Sequence, residues 1–208
     1  IGSLTNAEQV HALVRRGQAA YARLAALKCP TVAVIDGVCL GGGTELALAC
    51  DSRIASEEPR TQIGLPEVML GILPAWGGTT RLPRLVGLPA ALDLILSSRT
   101  LDGRRAEKMG LVARAVPAAW LVERAEAHVA KLAQAAAQSK RPGAKRRDRY
   151  RPRDFMAWFL DRTPFGRSIV FGQARKGVLA RTAGVYPAPL AVLSVLERTY
   201  GRSEPEGF

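Results

Sequence analysis

Apolar positions along the chain follow two periods, one typical of short buried strands and one typical of amphipathic helices. Residues 31–35 form an apolar, β-branched run, which indicates a strand covered on both faces. Ahead of it, residues 5–8 fit a capping box and the apolar residues that follow recur at helical spacing, which predicts a helix over residues 5–27. The face that this helix would bury comprises Val10, Leu13, Val14, Ala20, Leu24 and Leu27.

Strand and helix patterns continue to alternate after this point, which favours an α/β layered fold. Residues 52–55 and 111–116 are two further strand candidates. Asp102 is the expected N-cap of a helix that Gly110 ends in a left-handed turn. The helices predicted after the first strand cover residues 43–50, 77–85, 89–96, 103–109, 118–137 and 190–200, and residues 155–171 are an aromatic-rich region expected to pack helices together.

Only three short strand candidates are present, although a stable sheet needs paired neighbours and covered edges. We therefore expect the 208 residues to be the later part of a domain, or a partial gene product. From residue 139 to residue 153 the composition changes to charge, Pro and Gly, which indicates a boundary. The predicted division is a partial core over residues 1–138 and a basic connector with helices over residues 139–208.

A glycine turn precedes the second predicted helix. Gly41, Gly42 and Gly43 follow Leu40, and the helix that they lead into carries Glu45 in its first turn. Glycine lets a ligand approach the backbone closely, and the free N–H groups of a helix N-terminus carry partial positive charge. The turn therefore suits a phosphate, a carboxylate or an oxyanion, although its spacing is not that of a nucleotide-binding loop.

A second carboxylate lies in a similar setting. Glu67 follows Gly64, Leu65 and Pro66, and a glycine- and proline-rich turn comes soon after it. Two glutamates beside glycine-rich backbone can share one water and divide acid and base roles between them. The alternative is that Glu45 is a helix first-turn residue and Glu67 a solvated loop residue.

These segments resemble the enoyl-CoA hydratase/isomerase (crotonase) family, most strongly from residue 28 to residue 117. The motifs that carry the resemblance are AVIDGVCLGGGTELALACD at residues 33–51, IGLPEVMLGI at residues 63–72, GGTTRLPR at residues 77–84 and AEKMGLV at residues 106–112. The resemblance implies an α/β fold of the ClpP/crotonase spiral type, present as a partial core and followed by a helical C-terminal region. The insert at residues 56–61 resembles the multifunctional fatty-acid oxidation proteins more than the single-domain hydratases.

The resemblance also implies roles for individual residues. Gly42 would supply an oxyanion-hole N–H to the thioester carbonyl, while Glu45 and Glu67 would position a water, with Glu67 as proton donor to the α carbon. The implied partners are an acyl-CoA substrate and a thiolase subunit or a second copy of the chain, in the cytoplasm. No cofactor is implied for this segment, and NAD only where a dehydrogenase domain follows. The residues implied in substrate binding are Leu40, Gly41, Pro66, Ala75 and Trp76.

Two features depart from the family pattern. Ala75 and Trp76 stand where relatives usually carry glycine and a small residue, so the resemblance implies a methyl group beside the water position and an indole that narrows or floors the acyl pocket, and it leaves the chain-length preference open. The sequence also starts just after the motif that supplies the first oxyanion N–H in relatives, so the chain as given is expected to supply one such donor.

The formal charge of +12 is uneven, since residues 140–153 hold eight basic residues and one acidic residue. We interpret this stretch as a solvated connector, with nucleic-acid binding as the alternative. No apolar run is long enough for a membrane span. Cys29, Cys39 and Cys50 lie in apolar surroundings without metal-ligand spacing, which favours reduced, buried thiols.

The sequence therefore leaves several functions open. Enoyl-CoA hydration is the first interpretation, and enoyl-CoA isomerisation, which needs only the chemistry expected of Glu67, is the nearest alternative. A catalytically inert fragment or interaction module of the same fold is a different class of function. Nucleic-acid binding through the basic stretch is the last.

Overall fold

The computed structural model describes residues 6–138 and 150–201, which form nine helices and five short strands. The helices are α1 (Ala7–Ala25), α2 (Gly42–Ala49), α3 (Gly78–Val86), α4 (Leu88–Ser97), α5 (Gly103–Met109), α6 (Leu121–Ala137), α7 (Phe155–Arg162), α8 (Pro164–Thr182) and α9 (Pro187–Thr199). The strands are β1 (Val32–Ile35), β2 (Val38–Leu40), β3 (Ser52–Ser56), β4 (Gln62–Gly64) and β5 (Arg114–Val116). Two 3-10 segments, Glu67–Leu70 and Ala118–Trp120, complete the described structure.

All strand pairs are parallel and fall into two sheets. One sheet has the order β1-β3-β5, with Val32 opposite Ser52 and Ile54 opposite Arg114. The other pairs β2 with β4, with Leu40 opposite Gly64. Parallel strands need a crossover, and the intervening helices provide it and cover the sheets, which explains the α/β pattern in the sequence.

Three strands were predicted at about the right places, whereas β2 and β4 were not. Each of these two has only three residues, and a glycine, Gly37, stands between β1 and β2. The Asp102 cap and the Gly110 stop of α5 are confirmed, because Asp102 Oδ1 accepts from Arg105 N at 2.7 Å and Gly110 has a φ of 85°. Glu67 was expected in a loop but begins a 3-10 turn.

Helix α1 begins one residue later than the capping box suggested, because Asn6 rather than Thr5 precedes it and accepts from Gln9 N at 2.9 Å. Thr5 itself lies outside the described residues. The predicted buried face is wrong for most of its members, since Val10, Leu13, Ala20 and Leu27 are exposed and only Val14 and Leu24 are half-buried. The inward face instead carries Gly17, Gln18, Tyr21 and Ala25.

One hydrophobic core joins the strand-containing part of the chain to the last helices. Ile63, Leu82 and Leu94 belong to the same buried cluster as Leu193 and Leu196 of α9. A smaller cluster forms around Ile54 and Leu121 where α6 covers the first sheet. The division at residue 139 stays a prediction, and residues 139–149, which hold most of the basic stretch, lie outside the described residues.

A buried carboxylate also fastens the C-terminal helices to α4. Asp161 of α7 is almost fully buried and accepts from Leu88 N at 2.8 Å and from Tyr200 Oη at 2.7 Å. Burial and the hydrogen bond to Asp161 raise the pKa of Tyr200. Arg167 lies over the Tyr200 ring at 4.9 Å from its centroid. These contacts explain why α7 and α9 keep a fixed position against α4.

The aromatic region was expected to pack between helices, and this is right for Phe171, which is buried. It is wrong for Phe155, Trp158 and Phe165, which are exposed, as is Met156. The exposed rings pack on one another instead, with Phe155 and Trp158 stacked at 5.8 Å between centroids.

The cysteine prediction is partly wrong. All three are free thiols, but Cys29 is exposed and Cys39 and Cys50 are half-buried rather than buried. Within residues 6–138 and 150–201, no helix is both long and apolar enough to cross a bilayer. The same ranges contain no group of three His, Cys, Asp or Glu residues placed to hold a metal ion.

Candidate active site

The pairing of β2 with β4 brings the glycine turn and the second carboxylate together. Leu40 ends β2 opposite Gly64, which ends β4. Because the strands are parallel, the segments that leave them start at the same edge of the sheet. The first of these segments is Gly41 and Gly42, and the second reaches Glu67 within three residues.

Hydrogen bonds hold the start of α2 against β4. Gly41 N donates to Gly64 O at 3.0 Å. Thr44 Oγ1 lies 2.6 Å from Cys39 O and 2.9 Å from Gly64 O, so its one hydroxyl hydrogen is shared between these two acceptors. Gly41 has a φ of 55° and a ψ of −125°, a conformation that residues with a Cβ rarely adopt. A Cβ at this position would lie 3.3 Å from Glu67 Oε1, so glycine also makes room for the carboxylate.

Gly42 is the first residue of α2, and its amide has no acceptor among the described residues. Such a group is one of the four N–H groups that a helix leaves unpaired at its start, where the helix dipole adds positive potential. The Gly42 amide is therefore available to an oxygen that gains negative charge. Its role as an oxyanion donor stays a prediction.

Glu45 lies one turn into α2 and is 3% exposed. Its Oε1 accepts from Trp76 N and from Gly78 N, each at 2.8 Å, so two amides of the next loop fix the carboxylate. Burial raises the pKa of Glu45, while the two amides and the charge of Arg81 oppose that rise. The amides favour the ionised form, in which the carboxylate is an acceptor only.

Glu67 follows Pro66, which caps the 3-10 turn, and is 7% exposed. Neither carboxylate oxygen has a hydrogen-bond partner among the described residues. Burial raises the pKa of Glu67 to about 7, and the negative charge of Glu45 adds to the rise. An unpaired buried carboxyl is costly, and groups of this kind cluster at functional sites.

The structure thus brings the two glutamates into one buried region, where their charges interact. Glu67 is not a solvated loop residue. The two carboxyl groups differ in surroundings, since one is fixed by backbone amides and the other titrates near neutral pH. Such a pair can accept a proton at one group and donate one from the other.

Ala75 and Trp76 are half-buried at the same site. The benzo edge of the Trp76 ring lies 3.1 Å from where a Cβ on Gly42 would stand. The other substrate-binding candidates, Leu40 and Pro66, are half-buried at the ends of the two segments. All eight residues singled out from the sequence therefore gather at one place, although substrate binding by five of them, Leu40, Gly41, Pro66, Ala75 and Trp76, stays a prediction.

Helix α1 contributes residues that the sequence analysis missed. Tyr21 Oη donates to Gly42 O at 3.0 Å, and its ring meets Trp76 edge to face at 5.7 Å between centroids. Gln18 Nε2 donates to Ala75 O at 2.8 Å. Gly17 is the sequence signal that could have shown that α1 packs against the site. Glycine in a helix interior is unfavourable and often marks a place where another group approaches the helix closely.

Arg81 was also missed, although it lies within a quoted motif. It is 6% exposed on α3, and its Nη1 donates to Trp76 O at 3.1 Å. It therefore supports the loop whose amides bind Glu45. Its positive charge also opposes the rise that burial causes in the pKa of Glu45.

Comparison with known proteins gives the same picture. The enoyl-CoA hydratase/isomerase family model matches residues 3–148. The fatty acid oxidation complex subunit alpha of Shewanella frigidimarina is 41% identical over 208 residues, covering 100% of this chain and 28% of that protein. The corresponding subunit of Vibrio campbellii is 40% identical over 203 residues, 98% of this chain and 27% of that protein. The chain thus spans only about a quarter of the length of these curated relatives.

Solved structures of similar fold support the same family. An enoyl-CoA hydratase from Bacillus anthracis matches with a TM-score of 0.57 and 32% identity, over 88% of this chain and 68% of that one. Pseudomonas aeruginosa DspI matches with a TM-score of 0.60 and 30% identity, over 87% of this chain and 69% of that one. Since the family model covers most of the chain and the neighbours share the arrangement of its elements, the chain belongs to the enoyl-CoA hydratase/isomerase family and has the crotonase fold.

Proposed function

We propose that this chain adds water across the 2,3 double bond of an enoyl-CoA thioester. The observation that carries the proposal is the pairing of two buried glutamates with unlike surroundings beside an unpaired helix N-terminal amide. Glu45 is fixed by two backbone amides, Glu67 is not, and Gly42 N–H has no acceptor among the described residues.

The Gly42 amide would stabilise the negative charge that develops in the reaction. Addition of water to an enoyl thioester develops negative charge on the carbonyl oxygen, and a donor fixed in place stabilises that charge. One such donor is typically worth roughly 3 to 4 kcal/mol of transition-state stabilisation. Gly42 would supply it here, and the tie of Tyr21 to the Gly42 carbonyl limits movement of the first turn.

The two glutamates would carry out the proton transfers that the reaction requires. Ionised Glu45 accepts a proton from the water while the water oxygen bonds to the β carbon. Glu67, protonated below about pH 7, delivers its proton to the α carbon. The water supplies the proton and hydroxyl that are added, and proton exchange with solvent restores the two carboxyl groups to their starting states.

Isomerisation is the second candidate, because moving a double bond needs only one group that shuttles a proton. The arrangement of Glu45 favours hydration. Two amides hold one of its oxygens, so the other is aimed and free of these bonds, as a base that orients water requires. An isomerase would not need that anchoring.

The relatives named as alpha subunits of a fatty acid oxidation complex suggest where the reaction belongs. We place it in fatty-acid β-oxidation, in the cytoplasm, with acyl-CoA as substrate and a thiolase subunit or a second copy of the chain as partner. No cofactor is proposed for the hydration itself. NAD would enter only through a dehydrogenase in the same polypeptide.

Substitution of each glutamate tests the proposal. Glu45→Gln and Glu67→Gln should each lower hydration of crotonyl-CoA about 100-fold to 10,000-fold, followed as loss of enoyl absorbance, because each removes one partner in proton transfer. Glu126→Gln, an exposed change on α6, is the matched control and should keep full activity. A folded chain that hydrates nothing would contradict the proposal and favour the inert module of the same fold.

A second substrate separates hydration from isomerisation. When 3-enoyl-CoA is supplied to Glu45→Gln, an isomerase would still convert it to the 2-enoyl thioester at nearly the wild-type rate. A hydratase without isomerase activity would not convert the 3-enoyl thioester, either as wild type or as Glu45→Gln. In that case the loss of activity in Glu45→Gln would be seen only with the 2-enoyl substrate. Retained isomerisation in the variant would replace hydration as the function.

A further inference from the structure

The Trp76 indole fills the space between α1 and the first turn of α2. Its benzo edge lies 3.1 Å from the Cβ position of Gly42, the residue that carries the proposed oxyanion amide. Its pyrrole edge lies against α1 so closely that a Cβ on Gly17 would overlap the ring. Only a glycine at residue 17 lets the indole take this place, so helix and ring fit each other.

Further contacts hold the ring and the backbone of the loop that carries it. The Tyr21 ring meets it edge to face, while Tyr21 Oη is tied to Gly42 O at 3.0 Å. Gln18 holds the neighbouring Ala75 carbonyl, and Arg81 holds the carbonyl of Trp76 itself. The backbone amide of Trp76 is bound to Glu45. Because the loop backbone is held at these points, Trp76 cannot move together with its loop unless several hydrogen bonds break, and the ring itself is held by Tyr21 and by its close fit against Gly17.

This placement matters for the acyl chain. In the proposed reaction the thioester carbonyl lies at Gly42 N–H and the reacting carbons lie beside Glu45 and Glu67. An acyl chain that took the route between α1 and α2 would meet the indole, which is rigid and large. Burial of each additional methylene in an apolar pocket is normally favourable. On that route the Trp76 indole would occupy the space that the additional methylenes of a longer chain need.

We infer that Trp76, seated on Gly17 and Tyr21, is a specificity-determining residue that restricts this site to short-chain enoyl-CoA thioesters. The inference rests on the proposed hydratase function. It adds the substrate class, which neither the two glutamates nor the family assigns.

Hydration of 2-enoyl-CoA thioesters with four and with twelve carbons tests the inference. We expect wild type to have a kcat/KM for the four-carbon thioester at least about tenfold above that for the twelve-carbon one. Trp76→Ala should shift that ratio about tenfold or more toward the longer chain. Trp76→Phe keeps an aromatic ring of smaller size and should give an intermediate ratio if Trp76→Ala does not fold. Trp120→Ala, an exposed indole outside the site, is the matched control and should leave the ratio unchanged.

Binding of the saturated butyryl-CoA and dodecanoyl-CoA, measured by calorimetry, separates this inference from the function on which it rests. One outcome is that wild type hydrates neither substrate while Trp76→Ala binds dodecanoyl-CoA more tightly than wild type does. That result would contradict the proposed function but support the restriction of chain length by Trp76. If the ratio between the short-chain and the long-chain thioester is the same in wild type, Trp76→Ala and Trp76→Phe, in turnover and in binding, the restriction of chain length by Trp76 is overturned. A wild-type preference for the twelve-carbon substrate would overturn it as well.

Discussion

At the scale of single residues, two glutamates of the same intrinsic acidity acquire different properties from their neighbours. Burial raises the pKa of both. Two loop amides and Arg81 oppose the rise at Glu45, whereas neither oxygen of Glu67 has a partner among the described residues. The proposed division into base and acid would therefore come from backbone amides that the sequence does not display, and two glutamates at this spacing do not by themselves reveal which one is protonated.

The pH dependence of the proposed hydration follows from this division. Proton donation needs the neutral form of Glu67, whose pKa is about 7, so kcat/KM for crotonyl-CoA should fall as pH rises through that value. The ionised form of Glu45 is needed too, which gives a rising limb on the acid side. Rates measured between about pH 5 and pH 9 check the profile. A rate that stays constant from about pH 6 to pH 8 would contradict the assignment of Glu67 as the acid.

The same pKa has a consequence for stability. Glu67 has a pKa of about 7 when folded against 4.5 for the free group, so the folded chain binds the extra proton between those values. Wild type therefore loses stability as pH rises across this window, and Glu67→Gln does not. The difference between variant and wild type should move in favour of the variant by up to roughly 3 kcal/mol between about pH 4 and pH 8. Denaturant unfolding at both pH values measures it, and an unchanged difference would contradict the raised pKa.

At the scale of elements, sequence patterns predicted those structures whose signal is local. The β-branched run gave β1, the capping aspartate and the terminal glycine bounded α5, and the glycine turn with its apolar helix gave α2. Strands β2 and β4 were missed because three-residue strands have no usable period, and their pairing depends on residues more than twenty positions apart. The inward face of α1 was misassigned because Gln18 and Tyr21 point inward to hydrogen-bond partners on other elements. Those partners cannot be read from local hydrophobicity.

The turn between β2 and α2 gives a test at this scale. Gly41→Ala would put a Cβ on a residue with a φ of 55° and a ψ of −125°, beside Glu67 Oε1. We expect a loss of about 1 to 3 kcal/mol in unfolding free energy and lower hydration, because the strain moves the start of α2 away from Glu67. The matched control is Gly172→Ala in α8, where a Cβ meets nothing within 4 Å. That change should leave activity intact and stabilise the helix by about 0.5 to 1 kcal/mol. Equal effects of the two changes would show that the Gly41 conformation does not matter.

At the scale of the whole molecule, the candidate active site and the C-terminal helices share one packed core. Helix α9 places Val192, Leu193 and Leu196 in the same buried cluster as Leu82 and Leu88. Leu82 lies on α3, the helix that begins at the end of the loop that fixes Glu45, and Leu88 begins α4. Asp161 adds hydrogen bonds between α7, α4 and Tyr200. The change in composition after residue 138 does not reveal this coupling, because a shared core is a property of contacts between distant segments.

The last prediction concerns how the chain unfolds. If the helices after residue 150 were a separate module, their loss would leave the α/β part unchanged, whereas a shared core requires both to unfold together. Leu193→Ala should therefore cost about 2 to 5 kcal/mol and lower a single transition, seen at the same midpoint by far-ultraviolet circular dichroism and by tryptophan fluorescence. The matched control is Leu179→Ala on α8, which removes the same atoms from a side chain that is 44% exposed and should cost much less. Because α9 packs against α3, crotonyl-CoA hydration should lose heat resistance together with the structure in Leu193→Ala. Two separated transitions, with activity following only the one that Leu193→Ala leaves unchanged, would show that the C-terminal helices do not support the site.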